Sequence, residues 1–309
     1  MLLFAQVLIS LLLCIASANY MVDSVSKICA KLGISSFVVG LILAFGTASP
    51  ELVVSVSSTL KGHADINIGN VFGSYIANIL VGVGLPAILT TYCIKQTKLD
   101  KSTLYLVFLT FLFVAILLVC RLTIGFVGSI VLILIFFVYI ILNIKEHIVN
   151  VVHNDKERPN YSLVWPIVLM LVSAVLLVIS SNFLVKYVVQ FAESYGVSEK
   201  VIATTIVALG TSAPEIIAAI IAAYKKQSEL SIGNIIGSNI MLLFGVFGVC
   251  GLISPVSISL KVLLTDILLM LIVGVSLYLL IHFKKEITRS IGLLFIFVYI
   301  LYTVYQISI

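Results

Sequence analysis

The sequence predicts an all-α, polytopic membrane protein whose ten transmembrane helices form two inverted five-helix repeats. Three observations predict it: an apolar composition, the spacing of the apolar runs, and two near-identical polar hexapeptides 164 residues apart. Of 309 residues, 61% are hydrophobic and 10% charged, and the mean hydropathy is +1.26. A soluble domain of this length needs far more polar surface to cover its core.

Apolar runs long enough to span a bilayer are centred near residues 12, 48, 78, 111, 132, 174, 212, 242, 273 and 298. The first contains Ala16-Ser17-Ala18 but lacks the basic start of a signal peptide, so it is read as a span of the mature chain. The fifth and sixth spans are parted by a polar segment that includes Lys145, Glu146, His147, His153, Asp155, Lys156, Glu157, Arg158 and Pro159. It has mixed charge and no apolar periodicity, and reads as a solvated linker. The division is therefore 1–144 for the first repeat, 145–160 for the linker and 161–309 for the second repeat. Cys14, Cys29, Cys93, Cys120 and Cys250 are odd in number and lack CxxC spacing, which argues against a disulfide framework or zinc site and for packing thiols. In such a chain the net charge of +5 bears on topology, and nucleic acid is not expected as a partner.

The hexapeptides are Gly46-Thr47-Ala48-Ser49-Pro50-Glu51 and Gly210-Thr211-Ser212-Ala213-Pro214-Glu215, each within an apolar run. The same 164-residue offset aligns, without a gap, Ile68-Gly69-Asn70 with Ile232-Gly233-Asn234, Gly73-Ser74 with Gly237-Ser238, and Ile76 with Ile240. An odd number of spans per copy makes the copies cross the membrane in opposite senses. Positive charge gives the orientation. Loops after odd-numbered spans hold Lys27, Lys31, Lys95, Lys98, Lys101, Lys145, Lys156, Arg158, Lys225, Lys226, Lys284, Lys285 and Arg289. Those after even-numbered spans hold only Lys61, Arg121, Lys186, Lys200 and Lys261. Cytoplasmic loops are rich in Lys and Arg, so the linker is placed in the cytoplasm and both termini outside a cell (plasma or inner) membrane.

An acidic residue at mid-bilayer costs roughly 2.5–3.5 kcal/mol on insertion scales. Two glutamates in matching frames therefore point to one cation site. Pro50 cannot donate to the carbonyl of Gly46, nor Pro214 to that of Gly210, so each helix is expected to kink or unwind beside its glutamate and release a backbone acceptor. Hydroxyls from Thr47, Ser49, Thr211 and Ser212 add the oxygen ligands that hard cations prefer, and both sodium and calcium fit. Asn70, Ser74 and Asn78 recur at i, i+4 and i+8 as a polar helix stripe, matched by Asn234 and Ser238. Gly69, Gly73, Gly233 and Gly237 form small-xxx-small patterns suited to close approach of the Pro-Glu helices. His63, His147, His153 and His282 lie in loops or at span ends, and Asp266 lies near a span end beside Lys261. No nucleophile–base pairing stands out, so no enzyme activity and no cofactor are expected.

The paired G-T-x-x-P-E and G-N-x-x-G-S elements closely resemble the alpha repeats of the sodium/calcium exchanger family, within the cation/calcium exchanger superfamily. The chain most resembles its small prokaryotic members, which lack a large regulatory loop. That resemblance implies an antiporter swapping several sodium ions for one calcium by alternating access, with the first and sixth helices sliding over a rigid core of eight. It implies Glu51 and Glu215 as central carboxylates shared between ions. One flanking sodium site would use the carbonyl of Ala208 with Thr211, Ser212, Glu215 and Ser74; another, the carbonyl of Ala44 with Thr47, Glu51 and Ser238. Asn78 matches an amide position on the midplane. The partners implied are calcium and sodium ions and membrane lipid, with no obligate protein partner evident. Two departures stand out. Ala48 replaces a serine of related prokaryotic exchangers, with Ser49 beside it as a possible substitute, and Leu242 occupies the place symmetric to Asn78, where it is expected to face the ions. The alternatives are a proton- or other-cation-coupled divalent antiporter, a cation-permeable pore, and a degenerate non-transporting membrane protein.

Overall fold

The computed structural model describes residues 2–90, 92–93, 96–149, 161–196, 208–284 and 286–308. The helices are α1 (Leu2–Leu32), α2 (Ser36–Thr47), α3 (Ser49–Leu60), α4 (Ala64–Leu89), α5 (Gln96–Val119), α6 (Phe126–Val149) and α7 (Val164–Ser194). They are followed by α8 (Ala208–Thr211), α9 (Ala213–Tyr224), α10 (Ser228–Ile253), α11 (Leu260–Phe283) and α12 (Arg289–Ser308). Among the described residues, nine helical stretches are long and apolar enough to cross a membrane, α2 and α3 counting together as Ser36–Leu60. They coincide with nine of the ten expected spans. At the tenth, around residue 212, the described part is α8 and the shorter apolar α9, and residues 197–207 lie outside the description. Most of the expected linker, 150–160, also lies outside it, and the helix of α6 continues past Asn143 to Val149, beyond the expected boundary.

Two central helices organise the bundle. α4 and α10 are buried along most of their length, with α3, α5, α9, α11 and α12 packed around them. Where α4, α5 and α10 cross, the Phe72 and Phe247 rings stack at 5.7 Å, and Phe113 meets them edge-on at 6.1 and 5.4 Å. Asp266 is nearly buried in α11 and ties it to α12, accepting from Gln306 Nε2 at 2.7 Å and Tyr302 Oη at 3.3 Å. Two-residue antiparallel ladders join loops from the two halves of the chain. Tyr92 pairs with Ile287 and Cys93 with Glu286; Thr123 pairs with Ser257 and Ile124 with Val256. These ladders satisfy backbone groups at the helix ends.

α1 and α7 stand apart from that bundle. They pack chiefly on each other, and Cys14, Ala18, Met21, Val22 and Val25 of α1 join Leu177 of α7 in a second apolar cluster that also takes in Val39 and Leu43 of α2, Ala218 and Ala222 of α9 and Leu230 of α10. The expected first span is thus a helix continuing well past Ala18, seated on α7. Cys14, Cys29 and Cys250 are buried free thiols, and Cys120 is a partly buried one.

The glycines of α10 meet α2, in the other half of the chain. A Cβ on Gly237 would lie 2.8 Å from the Ala44 Cβ, and one on Gly233 2.7 Å from the Phe37 carbonyl oxygen. From the α2 side, a Cβ on Gly40 would lie 2.8 Å from Leu230 O and 2.9 Å from Asn234 N. Small residues here bring two backbones together, as membrane helices do where lipid removes the hydrophobic drive for association. Gly40→Ala is expected to destabilise the folded protein by about 1–3 kcal/mol. Gly128→Ala, whose Cβ would meet nothing closer than 3.4 Å, is the control. Thermal unfolding of both variants in detergent checks this, with a lower midpoint for Gly40→Ala alone.

Candidate cation site

Both hexapeptides fold into the same local shape. α2 ends at Thr47 and α3 begins at Ser49, with Ala48 between them at φ −81°, ψ 10°. α8 ends at Thr211 and α9 begins at Ala213, with Ser212 at φ −82°, ψ 3°. Pro50 and Pro214 fall in the first turn of the new helix, where a missing N–H leaves no intrahelical bond unmade. Glu51 and Glu215 fall in that same turn, at the electropositive helix end that favours a carboxylate. The break is a tight kink: Ala48 N still donates to Ala44 O at 2.9 Å, and Leu52 N to Ala48 O at 3.2 Å.

The carbonyl freed by Pro50 is not left open. Ser49 Oγ donates to Gly46 O at 2.7 Å, so Ser49 caps the end of α2 and does not substitute for the serine missing at Ala48. Ser212 behaves differently, reaching across to donate to Glu51 Oε1 at 3.2 Å. The same contact shifted by 164 residues would run from Ala48 to Glu215, and alanine has no hydroxyl. Accordingly, no hydroxyl comes within 3.5 Å of either carboxylate oxygen of Glu215 among the described residues, and Thr47 and Ser238 are the hydroxyls nearest to it. Glu51 Oε2 has none either, and both glutamates are 0% exposed.

The helix stripes close around these carboxylates with matching cross-contacts. Thr211 Oγ1 donates to Asn70 Oδ1 at 3.2 Å, and Thr47 Oγ1 to Asn234 Oδ1 at 3.4 Å. Asn70 Nδ2 donates to Glu51 O at 3.1 Å, and Asn234 Nδ2 to Glu215 O at 3.4 Å. Ser74 Oγ lies 3.4 Å from Thr211 Oγ1. Ser238 Oγ is buried with no partner among the described residues. The Ala44 carbonyl accepts the Ala48 N–H, and with the Thr47 hydroxyl donating to Asn234 its second lone pair is open. Ala208 is the first described residue of α8. Glu51, Thr47, Thr211, Ser212 and Ser74 are thus linked across the two halves, with Glu215 and Ser238 buried beside the same helices.

Asn78 and Leu242 do not form the expected symmetric pair. Asn78 Nδ2 donates to Asn239 Oδ1 at 3.0 Å, and Asn239 Nδ2 to Tyr75 O at 3.3 Å, while Asn78 Oδ1 has no partner among the described residues. Leu242 is fully buried in the main apolar core. It is the second residue of a π-helical turn, Met241–Val246, whose wider backbone re-aims the residues that follow. The expectation that Leu242 faces the ions is therefore corrected: Asn239 is the α10 residue that meets Asn78. Sequence reasoning passed over Asn239 because its 164-residue counterpart is Tyr75, so the repeat gave no signal. No group of three or more His, Cys, Asp or Glu occurs among the described residues, so the donor set is two carboxylates and neutral oxygens.

A membrane-spanning helical bundle with two buried carboxylates and convergent neutral oxygens has the architecture of a secondary cation transporter. Comparison with known proteins agrees, and the chain belongs to the sodium/calcium exchanger family: the model "Sodium/calcium exchanger protein" matches residues 2–145 and again 165–308. The chain is 35% identical over 255 residues to the putative antiporter CaxA of Alkalimonas amylolytica, covering 81% of this chain and 80% of that protein. It is 29% identical to the sodium/calcium exchanger MaX1 of Methanosarcina acetivorans, covering 97% of each. A solved structure of the sodium-calcium exchanger NCX_Mj superposes with a TM-score of 0.84 at 26% identity, covering 97% of both chains. The protein is a multi-pass membrane antiporter and not an enzyme.

Because Glu215 lacks the hydroxyl that Ser212 gives Glu51, Ala48→Ser is expected to supply one. Apparent cation affinity should tighten by about threefold to tenfold, the net worth of one ordinary hydrogen bond. Cation dependence of transport in proteoliposomes checks this, and an unchanged affinity means that position 48 does not reach the glutamate.

Proposed function

We propose that the protein exchanges sodium for calcium across the cell membrane by alternating access around the Glu51–Glu215 site. The observation that carries this reading is the pair of fully buried carboxylates, of whose four oxygens only Glu51 Oε1 has a donor within 3.5 Å among the described residues. Two anionic groups in a low-dielectric interior call for positive charge between them, and a divalent cation supplies it in one ion. Calcium takes six to eight oxygens, which the carboxylates, Thr47, Thr211, Ser74, Ser212, Ser238, Asn78 and the carbonyls of Ala44 and Ala208 can share with sodium in adjacent positions. Sodium as the counter-ion is supported by the exchangers that the chain resembles.

Alternating access is supported by unequal exposure. Asn70 and Thr211 are partly exposed, whereas their counterparts Asn234 and Thr47 are buried, so the site is approached from one side. At the closed side Lys225 Nζ bonds Asp23 Oδ1 at 2.6 Å and Asn19 O at 3.0 Å, clamping α1 to the end of α9. The α1–α7 pair, whose helices pack chiefly on each other, is the element that moves. Ten spans in two inverted repeats, 1–144 and 161–309, are supported by the double family match and by the equivalent kinks at Ala48 and Ser212. The linker 145–160 is cytoplasmic and both termini are outside.

Calcium uptake into proteoliposomes tests the exchange. It is expected with internal sodium and absent with internal potassium or a proton gradient alone; uptake driven only by protons would replace sodium in this reading. Glu51→Gln and Glu215→Gln should each lower uptake at least about tenfold, because one lost charge leaves a divalent ion poorly compensated. Near-normal transport by either well-expressed variant would sink the site.

The topology has its own check. A cysteine replacing Asn154 should resist impermeant thiol reagents on intact cells, and one added at the C-terminus should react. Cysteines replacing Lys61 and Lys225 should fall on opposite sides, and a same-side result would overturn the inversion.

A further inference from the structure

Tyr75 and Asn239 hold the same place in the two 164-residue frames, and so do Asn78 and Leu242. The first pair touches: Asn239 Nδ2 donates to Tyr75 O at 3.3 Å. The side chains of that pair take different courses. Tyr75 turns to α5, where its hydroxyl lies 2.8 Å from Thr110 Oγ1. Thr110 gives its own proton to Leu106 O at 2.7 Å, so Tyr75 is the donor and its hydroxyl is committed there. Asn239 turns to α4 and is 0% exposed.

A direction of polarity follows from that one contact. Tyr75 O is a backbone carbonyl and can only accept, so Asn239 must present Nδ2 to it and Oδ1 to the other side. Turned over, Asn239 would set two acceptor oxygens 3.3 Å apart in a buried place, with neither satisfied by the other. Asn239 Oδ1 can in turn only accept, so Asn78 must present Nδ2, which it does at 3.0 Å. The amide plane then directs Asn78 Oδ1 away from Asn239, where it is buried and without a partner among the described residues. Asn78 follows Ser74 by one turn on the same face of α4, and Ser74 Oγ lies 3.4 Å from Thr211 Oγ1 of the cation site. Leu242 brings no oxygen to the matching place and is buried in the apolar core.

We propose that Asn239 is a positioning residue for cation binding: through Asn78 it holds an amide oxygen, and not the amide N–H groups, toward the ions. This role rests on the Glu51–Glu215 cation site. A hard cation is drawn to the oxygen end of an amide dipole and repelled by the nitrogen end, so the setting of one amide decides whether Asn78 is a ligand or an obstacle. The setting is passed from a backbone carbonyl that cannot change its polarity, through Asn239, to Asn78. Without the Asn239 acceptor a buried Nδ2 is left unmet, and the amide gains by turning over toward the oxygens of the site, where it opposes the ions. With Leu242 in the matching place, no second amide makes up the loss.

Thermal unfolding of the purified protein in detergent at stepped calcium concentrations tests this, because an ion that binds the folded state raises the midpoint and gives an apparent affinity without transport. Asn239→Leu, close to asparagine in size, should weaken calcium affinity about tenfold, and Asn78→Ala by a similar factor. The double variant should bind no more weakly than Asn78→Ala alone, since a residue that acts only through Asn78 has nothing left to act on. Asn239→Asp, which accepts from Asn78 Nδ2 whether ionised or neutral, should bind calcium at least as tightly as the parent. Losses that add in the double variant, or a lower midpoint without calcium beside an unchanged affinity, show a packing role and overturn the proposal. If Asn239→Leu does not fold, Asn239→Ala, which adds no bulk, is read in the same way. A parent that calcium does not stabilise overturns the cation site and this role with it. A parent that binds calcium but fails to exchange it for sodium is told apart from both, because binding is read without a sodium gradient.

Discussion

Everything in this molecule is arranged around two carboxylates held where a bilayer tolerates charge least. Glu51 and Glu215 are fully buried, and each sits in the first turn of a helix restarted by a kink. The proline two residues after the kinked residue makes the restart inexpensive, because a first-turn residue has no intrahelical use for its N–H. The restart in turn aims a helix N-terminus at the site and gives the glutamate a favourable field. Without a second layer of helices, the loosened backbone would face lipid. Burial of α4 and α10 at the centre, with the aromatic contact of Phe72, Phe113 and Phe247 behind them, keeps the irregular turns inside protein.

The two halves are alike in backbone and unlike in chemistry. A swap of alanine and serine between the hexapeptides sends Ser212 to Glu51 and turns Ser49 back onto Gly46, so the two glutamates differ in their partners. The hairpin of α3 and α4 is polar where α9 is lined with alanine. The two kinked segments thus share a backbone shape while their side chains give the two glutamates different surroundings. Evolution of a site at a pseudo-twofold axis has this freedom because each polar contact across the axis is made by different residues on its two sides.

The pair of helices proposed to move is likewise set apart from the proposed ligands. The proposed ion ligands come from α2–α4 and α8–α10, whereas α1 and α7 pack chiefly on each other and share a second apolar cluster with Val39 and Leu43 of α2, Ala218 and Ala222 of α9 and Leu230 of α10. A pair of helices that packs mainly on itself can shift over the rest without dismantling the site. The Asp23–Lys225 contact is half-exposed at its carboxylate, and such surface pairs contribute about 0–1 kcal/mol, strong enough to bias a position and too weak to lock it.

Much of this was legible in the residues alone. Composition fixed the environment, apolar runs located nine of the described spans, and the duplicated Pro-Glu located both kinks and both buried carboxylates, because proline and charge act locally and carry the same meaning in any fold. The partners of those groups were not legible. Which hydroxyl reaches which carboxylate, why Asn239 and not residue 242 meets Asn78, and why Gly237 faces Ala44 depend on how helices far apart in sequence cross. A π-helical turn at Met241–Val246 changes a helix face without any sequence signature, and a pseudo-twofold comparison is blind wherever one copy has lost the residue. Side-chain contacts across a symmetry axis are set by three-dimensional approach, and only the tertiary structure decides them.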